Sequence, residues 1–145
     1  MDGLVVEEVG VADAELVAAM GDLVRQLSHS APAPTIGEIQ EIVGSPTTTL
    51  LVARDPGGRI VGTLTLAVFR IPTGVRAWIE DVVVDEAARG AGAGAALVSA
   101  ALDAATRAGA RTVDLTSRAD RAAANRLYVR LGFVQRATNV YRYEG

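Results

Sequence analysis

The sequence predicts a mixed α+β domain: a mostly antiparallel sheet flanked by helices, closed by one strand–helix–strand unit. Three observations carry this. Apolar runs between Thr48 and Val84 are separated by tight turn signals, the pattern of an antiparallel meander. Two earlier segments and one later one place apolar residues at helical spacing. A glycine-rich stretch, Arg89-Gly90-Ala91-Gly92-Ala93-Gly94, stands between a strand-like run and a helix-like run. Antiparallel strands followed by such a unit define a mixed α+β architecture.

Residues 4–9 read as the first strand. Across residues 12–28, Leu16, Met20, Leu23, Val24 and Leu27 recur on one face, which predicts an amphipathic helix. Pro32 and Pro34 break it, and residues 35–43 read as a second, short helix. Asp55-Pro56-Gly57-Gly58 is a hairpin turn joining strands at 48–54 and 59–69. Pro72-Thr73-Gly74 turns the chain again into a strand over 75–84. In residues 92–108, Leu97, Val98, Ala101, Leu102 and Ala105 form one stripe, with Gly109 as the stop. Residues 111–116 read as a strand. Asp120 is positioned to cap a helix running to Leu131, which Gly132 ends. Residues 133–137 and 140–143 read as a closing pair of short strands. No internal repeat or linker divides the chain, so residues 1–145 are expected to form one domain.

Composition removes several function classes. Half of the 145 residues are hydrophobic, yet no window approaches the length of a membrane span. The N-terminal run is acidic and too short of apolar length for a secretory signal. Cysteine is absent, which excludes disulfides and thiolate metal sites and makes a cytoplasmic location the expectation. The formal charge of −3 argues against nucleic acid as the main partner. Every basic side chain is arginine, so neither a Walker lysine nor a Schiff-base lysine exists. His29 is the only histidine, which argues against a His-based metal cluster or a Ser-His-Asp triad.

The glycine loop itself points to an anion. Backbone N–H groups at a helix N-terminus are unpaired, the helix dipole adds partial positive charge, and Arg89 adds a full one. A dinucleotide is one candidate. Gly90-x-Gly92-x-x-Ala95 satisfies a loose fingerprint, and Asp114 lies about 20 residues further on, where the ribose-binding acid falls. The context disagrees: residues 85–89 intervene after the strand, and the chain supplies one parallel unit where that fold needs several.

A second pattern decides between the candidates. Arg89-x-x-Gly92-x-Gly94 resembles the R/Q-x-x-G-x-G/A pyrophosphate loop of the GNAT acetyltransferase superfamily. The run Ile79-Glu80-Asp81-Val82-Val83-Val84-Asp85 is similar to that family's central strand. Ala124-Asn125-Arg126-Leu127-Tyr128, continuing to Gly132-Phe133, resembles its A-x-x-L-Y-x-x-x-G-F helix. The resemblance is specific from Trp78 to Phe133, and two motifs in the right order outweigh either alone.

The resemblance implies acetyl-CoA as the cofactor, with its pyrophosphate on the backbone amides of Arg89, Gly90, Ala91, Gly92, Ala93 and Gly94. It implies a bulged, splayed central strand whose backbone near Val82, Val83 and Val84 meets the pantetheine arm. It places Tyr128 as the proton donor to the departing CoA sulfur; a core tyrosine with a satisfied hydroxyl is the competing reading. Acetyl transfer also needs a neutral amine, so a carboxylate base is expected. Glu80 is the expected base and Asp81 its substitute or an amine anchor, unless these carboxylates are only solvated or paired with arginine. Many family members carry asparagine seven residues before the tyrosine; here Arg121 stands there, and Asn125 on the same helix face is the alternative cofactor contact. Trp78 and Tyr141 are candidates to line an acceptor pocket. The resulting expectation is an N-acetyltransferase acting on a primary amine of a small molecule, by direct attack, without an acyl-enzyme. The alternatives are a CoA-binding sensor or interaction domain without turnover, and a protein N-terminal acetyltransferase. Neither nucleic acid nor a membrane is an expected partner, and the resemblance admits a homodimer through a terminal strand or helix.

Overall fold

The computed structural model describes residues 3–145. Strand β1 (Val5–Glu8) precedes helices α1 (Ala14–Leu27) and α2 (Ile36–Gly44). Strands β2 (Thr48–Arg54), β3 (Ile60–Ile71) and β4 (Gly74–Val84) follow as a meander. A single 3₁₀ turn (Glu86–Ala88), helix α3 (Ala93–Arg107), strand β5 (Thr112–Asp114) and helix α4 (Ala122–Arg130) complete the fold. The sheet order is β1-β2-β3-β4-β5. Its first four strands run antiparallel, and only β5 is parallel to its neighbour. A single parallel pair confirms the α+β expectation and leaves no repeated unit for a dinucleotide fold.

Alternation along β2 shows how the sheet separates two cores. Leu50 and Val52 pack with Leu16, Met20, Leu23 and Ile39 of α1 and α2. Leu51 and Ala53 point the other way, to Leu97, Val98, Ala101 and Ala105 of α3 and Tyr128 of α4. Successive strand side chains face opposite sides, so a nearly all-apolar strand implies cover on both.

Helix ends follow local chemistry. Asp13 Oδ1 accepts from Leu16 N at 2.9 Å to start α1. Thr35 and Glu38 form a reciprocal capping box on α2, at 3.1 and 2.9 Å. Helix α3 stops with Gly109 N on Thr106 O and Ala110 N on Ala105 O, and α4 repeats the pattern with Gly132 N on Val129 O and Phe133 N on Tyr128 O. Both are Schellman motifs, as the glycines predict. Arg54 clamps three elements: its Nε donates to Glu7 at 2.8 Å, its guanidinium forks onto Glu15 at 3.0 and 3.1 Å, and Nη1 reaches Gly58 O at 2.8 Å. These carboxylate bonds hold its pKa above the usual arginine value.

Three sequence expectations need correction. Strand β5 spans Thr112–Asp114 instead of 111–116, because its ladder with β4 ends at the Trp78–Asp114 pair. Asp120 does not cap α4; Arg121 holds the N-cap position and no side chain caps the helix. The closing strands at 133–137 and 140–143 are absent: beyond Phe133 every residue is exposed and none joins the sheet. Alternating apolar residues make a segment able to pair; they do not supply its partner.

Candidate active site

Strand β4 carries a bulge at its centre. Thr63 faces Val83 and Thr65 faces Glu80, so Leu64 stands opposite both Asp81 and Val82. Asp81 takes φ +50°, the only positive φ outside glycine among the described residues. The extra residue reverses the alternation. Ile79, Val82 and Val84 pack on the α3 side, whereas Val83 joins the α1–α2 core. Glu80 and Asp81 are both exposed at this kink. A bulge re-aims side chains and leaves backbone groups out of the ladder.

The same stretch of β4 lacks a partner on its other edge. Pairing with β5 covers Arg76, Ala77 and Trp78 and then stops. Residues 79–84 therefore have no ladder partner on that edge among the described residues. Two shallow concavities lie beside β1, one of them lined by Glu7, Glu8, Asp103 and Arg107, at the opposite edge of the sheet. Neither touches the bulge or the glycine loop.

The loop after β4 is braced from outside. Asp85 N donates to Val61 O at 2.8 Å, and the Asp85 carboxylate accepts from Ala87 N and pairs with Arg59. Gln26 at the end of α1 accepts from Glu86 N at 2.9 Å. These contacts deliver the chain into Gly90 and Gly92, which take φ +89° and +88°. L-residues rarely adopt that conformation, so glycine is required there for backbone geometry. Gly94 differs: its φ is not positive, and a Cβ there would lie a tight 3.3 Å from Leu127 Cδ2 of α4. Gly92 is the N-cap of α3 and supplies no side-chain cap. No side chain caps α3, whereas Asp13 and Thr35 each cap one amide of α1 and α2. Arg89 is exposed at the mouth of this loop.

Tyr128 is 8 % exposed, its ring in the α3-side core and edge-on to Phe133 at 5.9 Å. Its hydroxyl has no hydrogen-bond partner among the described residues. Burial pushes its pKa above the ordinary tyrosine value, and the charge of Arg121 opposes that rise. Arg121 is therefore close enough to influence the phenol electrostatically. Asn125 Nδ2 donates to Arg118 O at 3.0 Å, pinning the β5–α4 loop. Trp78 is half-buried in β4. Tyr141 stands in the exposed C-terminal segment, its hydroxyl accepting from Asn139 Nδ2 at 3.4 Å.

Sequence reading missed two features. Asp85 and Gln26 brace the loop; an aspartate two residues before Ala87 signals a cap, but nothing in sequence pairs Gln26 with Glu86. Ser117 Oγ is the only buried side-chain polar atom without a hydrogen-bond partner among the described residues. It continues the Val113 and Leu115 row, which packs with Tyr128 in the α3-side core.

Comparison with known proteins settles the family. The profile described as "Acetyltransferase (GNAT) family" matches residues 17–133, most of the chain. The protein belongs to the GNAT acetyltransferase family. Among solved structures, a putative acetyltransferase from Agrobacterium tumefaciens is 28% identical, with a TM-score of 0.85 over 97% of this chain and 99% of its own. An aminoglycoside acetyltransferase from an uncultured soil metagenomic sample superposes with a TM-score of 0.86 at 20% identity, covering 99% and 97%. Glucosamine-6-phosphate N-acetyltransferase from Arabidopsis thaliana gives 0.80 at 20% identity, covering 98% and 99%. At that identity the last two speak for the fold alone. No curated protein matches the chain. The bulged strand runs into the glycine loop, and the end of β4 and helix α4 meet the start of α3 at Gly94, through Val84 and Leu127; the family points to acetyltransferase chemistry. No helix among the described residues is long and apolar enough to cross a membrane.

Proposed function

We propose that this GNAT protein transfers acetyl from acetyl-CoA to the primary amine of a small molecule, by direct attack of the amine. The observation that carries the reading is three features on elements that meet at Gly94, which lies against Val84 and Leu127. These are the uncapped N-terminus of α3, the unpaired edge of β4 at the bulge, and the partnerless hydroxyl of Tyr128. The residues present fit the cofactor. Gly90 and Gly92 provide a positive-φ cradle with open space in front of Gly90, Arg89 supplies positive charge, and Ser117 offers an orphaned buried hydroxyl.

Acetyl-CoA, when bound, supplies an activated acyl group on a good leaving group. The chain supplies the rest. Amides opening α3, with Arg89, hold the pyrophosphate. Freed backbone N–H groups around Val82 and Val84 are suited to polarising a carbonyl. Glu80 accepts the proton of the incoming ammonium, directly or through water, and Asp81 anchors its charge. Tyr128, held protonated by burial, donates at the sulfur. No step needs a covalent enzyme intermediate, and the chain has no cysteine to form one through sulfur. The exposed Glu80–Asp81 pair favours a cationic acceptor, and amino sugars are the class to screen first.

The test is thermal stability with acetyl-CoA, CoA and NAD, followed by an amine panel. At 100-fold over its dissociation constant a ligand stabilises by about 2.7 kcal/mol, enough for a clear rise in Tm. Acetyl-CoA and CoA are expected to raise Tm, NAD to leave it unchanged, and Arg89→Ala to diminish the rise. A shift with NAD alone, or none, overturns the reading. Binding without turnover on any amine would leave a CoA sensor. Ser117→Ala gives a separate check. An orphaned buried hydroxyl costs about 1–3 kcal/mol, so the variant is expected to melt higher without ligand yet gain less from acetyl-CoA. A lower ligand-free Tm would show the hydroxyl to be satisfied within the fold.

A further inference from the structure

Strand β4 carries a cation, an aromatic ring and a carboxylate in one row. Ala77 and Ile79 pack on the α3 side, so Arg76, Trp78 and Glu80 face the side of α1 and α2. Across the ladder, Phe69, Ala67 and Thr65 stand opposite them in that order. Helices α1 and α2 pack on Leu50, Val52 and Val83 of this face, in a core to which neither Trp78 nor Phe69 belongs. Trp78 stays half-buried and Phe69 is 39 % exposed. Large apolar side chains left open beside charged ones mark a binding surface.

The charges along the row are ordered. Glu80 stands at the bulge. Val113 packs on the α3 side, so Asp114 faces the same side as the row, across from Trp78. At the other end, Arg76 Nη2 donates to Thr73 Oγ1 at 3.0 Å. That bond draws the guanidinium toward the β3–β4 turn and away from these carboxylates. Arg76 forms no ion pair among the described residues. A guanidinium carries five N–H donors, and a single neutral hydroxyl takes only one of them.

We propose that the acceptor is zwitterionic: its amine meets Glu80, its ring or chain lies on Trp78, and a carboxylate at its far end pairs with Arg76. The proposal rests on the acetyl-transfer reading for the fate of the amine, and adds a second charge to the substrate. Along extended strand Arg76 and Glu80 lie about 13 Å apart, at about 3.3 Å per residue. An α-amino acid, whose two charges are adjacent, is too short to meet both side chains. An amine and an acid at opposite ends of a ring, or of a chain of several carbons, are suited to the row once the two side chains lean inward. The planar guanidinium takes a carboxylate through two parallel hydrogen bonds. The ammonium gains from the face of Trp78 as well as from Glu80. A plain diamine would instead bring a like charge to Arg76.

Trp78 is the only tryptophan in the chain, so its fluorescence reports directly on this row. In the presence of CoA, para-(aminoethyl)benzoate is expected to change that signal. It is expected to bind about 10- to 100-fold more tightly than phenethylamine, the worth of one charge-assisted pair. Phenylalanine, with its acid beside its amine, is expected to show no such gain. The same ratio between the benzoate and phenethylamine is expected in kcat/KM for acetyl transfer. Arg76→Gln is expected to abolish the ratio in both readouts, and Arg76→Lys to keep part of it. A folding defect would weaken both ligands alike and leave the ratio standing. No signal with any of the three, equal use of benzoate and phenethylamine, a preference for xylylenediamine, or a ratio that survives Arg76→Gln would overturn the proposal and leave acetyl transfer intact. Binding in the expected ratio without acetylated product would uphold the row and overturn the acetyl-transfer reading instead.

Discussion

Tyr128→Phe is expected to lower kcat for acetyl transfer by about 10²- to 10⁴-fold, the usual contribution of a positioned acid or base. Acetyl-CoA is expected to raise the Tm of the variant as it does that of the parent. The separation of the two readouts follows from the geometry. The ring is buried against Phe133 and the α3-side core, and phenylalanine keeps that packing. Only the hydroxyl is lost, and it holds no structural bond among the described residues. Steady-state kinetics with saturating acetyl-CoA would decide, and an unchanged kcat would reduce Tyr128 to a core residue.

The pH dependence has a defined sign. Burial raises the Tyr128 pKa in the folded protein, with Arg121 opposing the rise. The protonated phenol is the form the fold prefers. Its contribution to stability is complete below the ordinary tyrosine pKa of about 10 and is lost as pH rises through the higher folded value. Urea unfolding is therefore expected to show an alkaline loss of stability that is smaller in Tyr128→Phe. The activity profile should show no alkaline limb from Tyr128 below about pH 10.

Deleting Asp81 is expected to abolish acetyl transfer while leaving the fold in place. Without the bulge residue Leu64 faces Val82 alone, and Thr63 and Gly62 still face Val83 and Val84. Val82 and Val84 then keep the α3 side and Val83 the α1–α2 core. What is lost is the kink, which re-aims Glu80 and frees backbone groups from the ladder. Thermal melting is expected to show a cooperative transition, and an assay no turnover. Asp81→Gly is expected to be nearly neutral for folding, because relief of the left-handed backbone offsets the greater freedom of the unfolded chain. An active deletion variant would mean that the bulge is not part of the site.

Sequence was informative wherever chemistry is local. Proline and glycine marked the turns around 55–58 and 72–74, Thr35 with Glu38 marked the start of α2, and Gly109 and Gly132 marked both Schellman stops. The glycine loop was legible because strand, glycines and helix lie within one short stretch. Other features depend on contacts distant in sequence. Asp81 is an ordinary strand residue until Leu64 stands opposite two residues at once. The shortness of β5 depends on where β4 turns away from it. The C-terminal segment has the alternation of a strand, yet pairing needs an edge, which its own sequence does not carry. Even the glycines were only partly readable: Gly92 is needed for its φ, whereas Gly94 lies close against Leu127, a residue on another helix.

The parallel ladder between β4 and β5 spans only the pairs from Arg76–Thr112 to Trp78–Asp114. Consequently the chain that follows β5 is fastened to the sheet at one end, like a door on a single hinge. The rest of its attachment is side-chain packing of Val113 and Leu115 on the α3-side core, which can loosen without breaking the antiparallel meander. Hydrogen exchange is therefore expected to be faster in residues 112–118 than in β2 and β3.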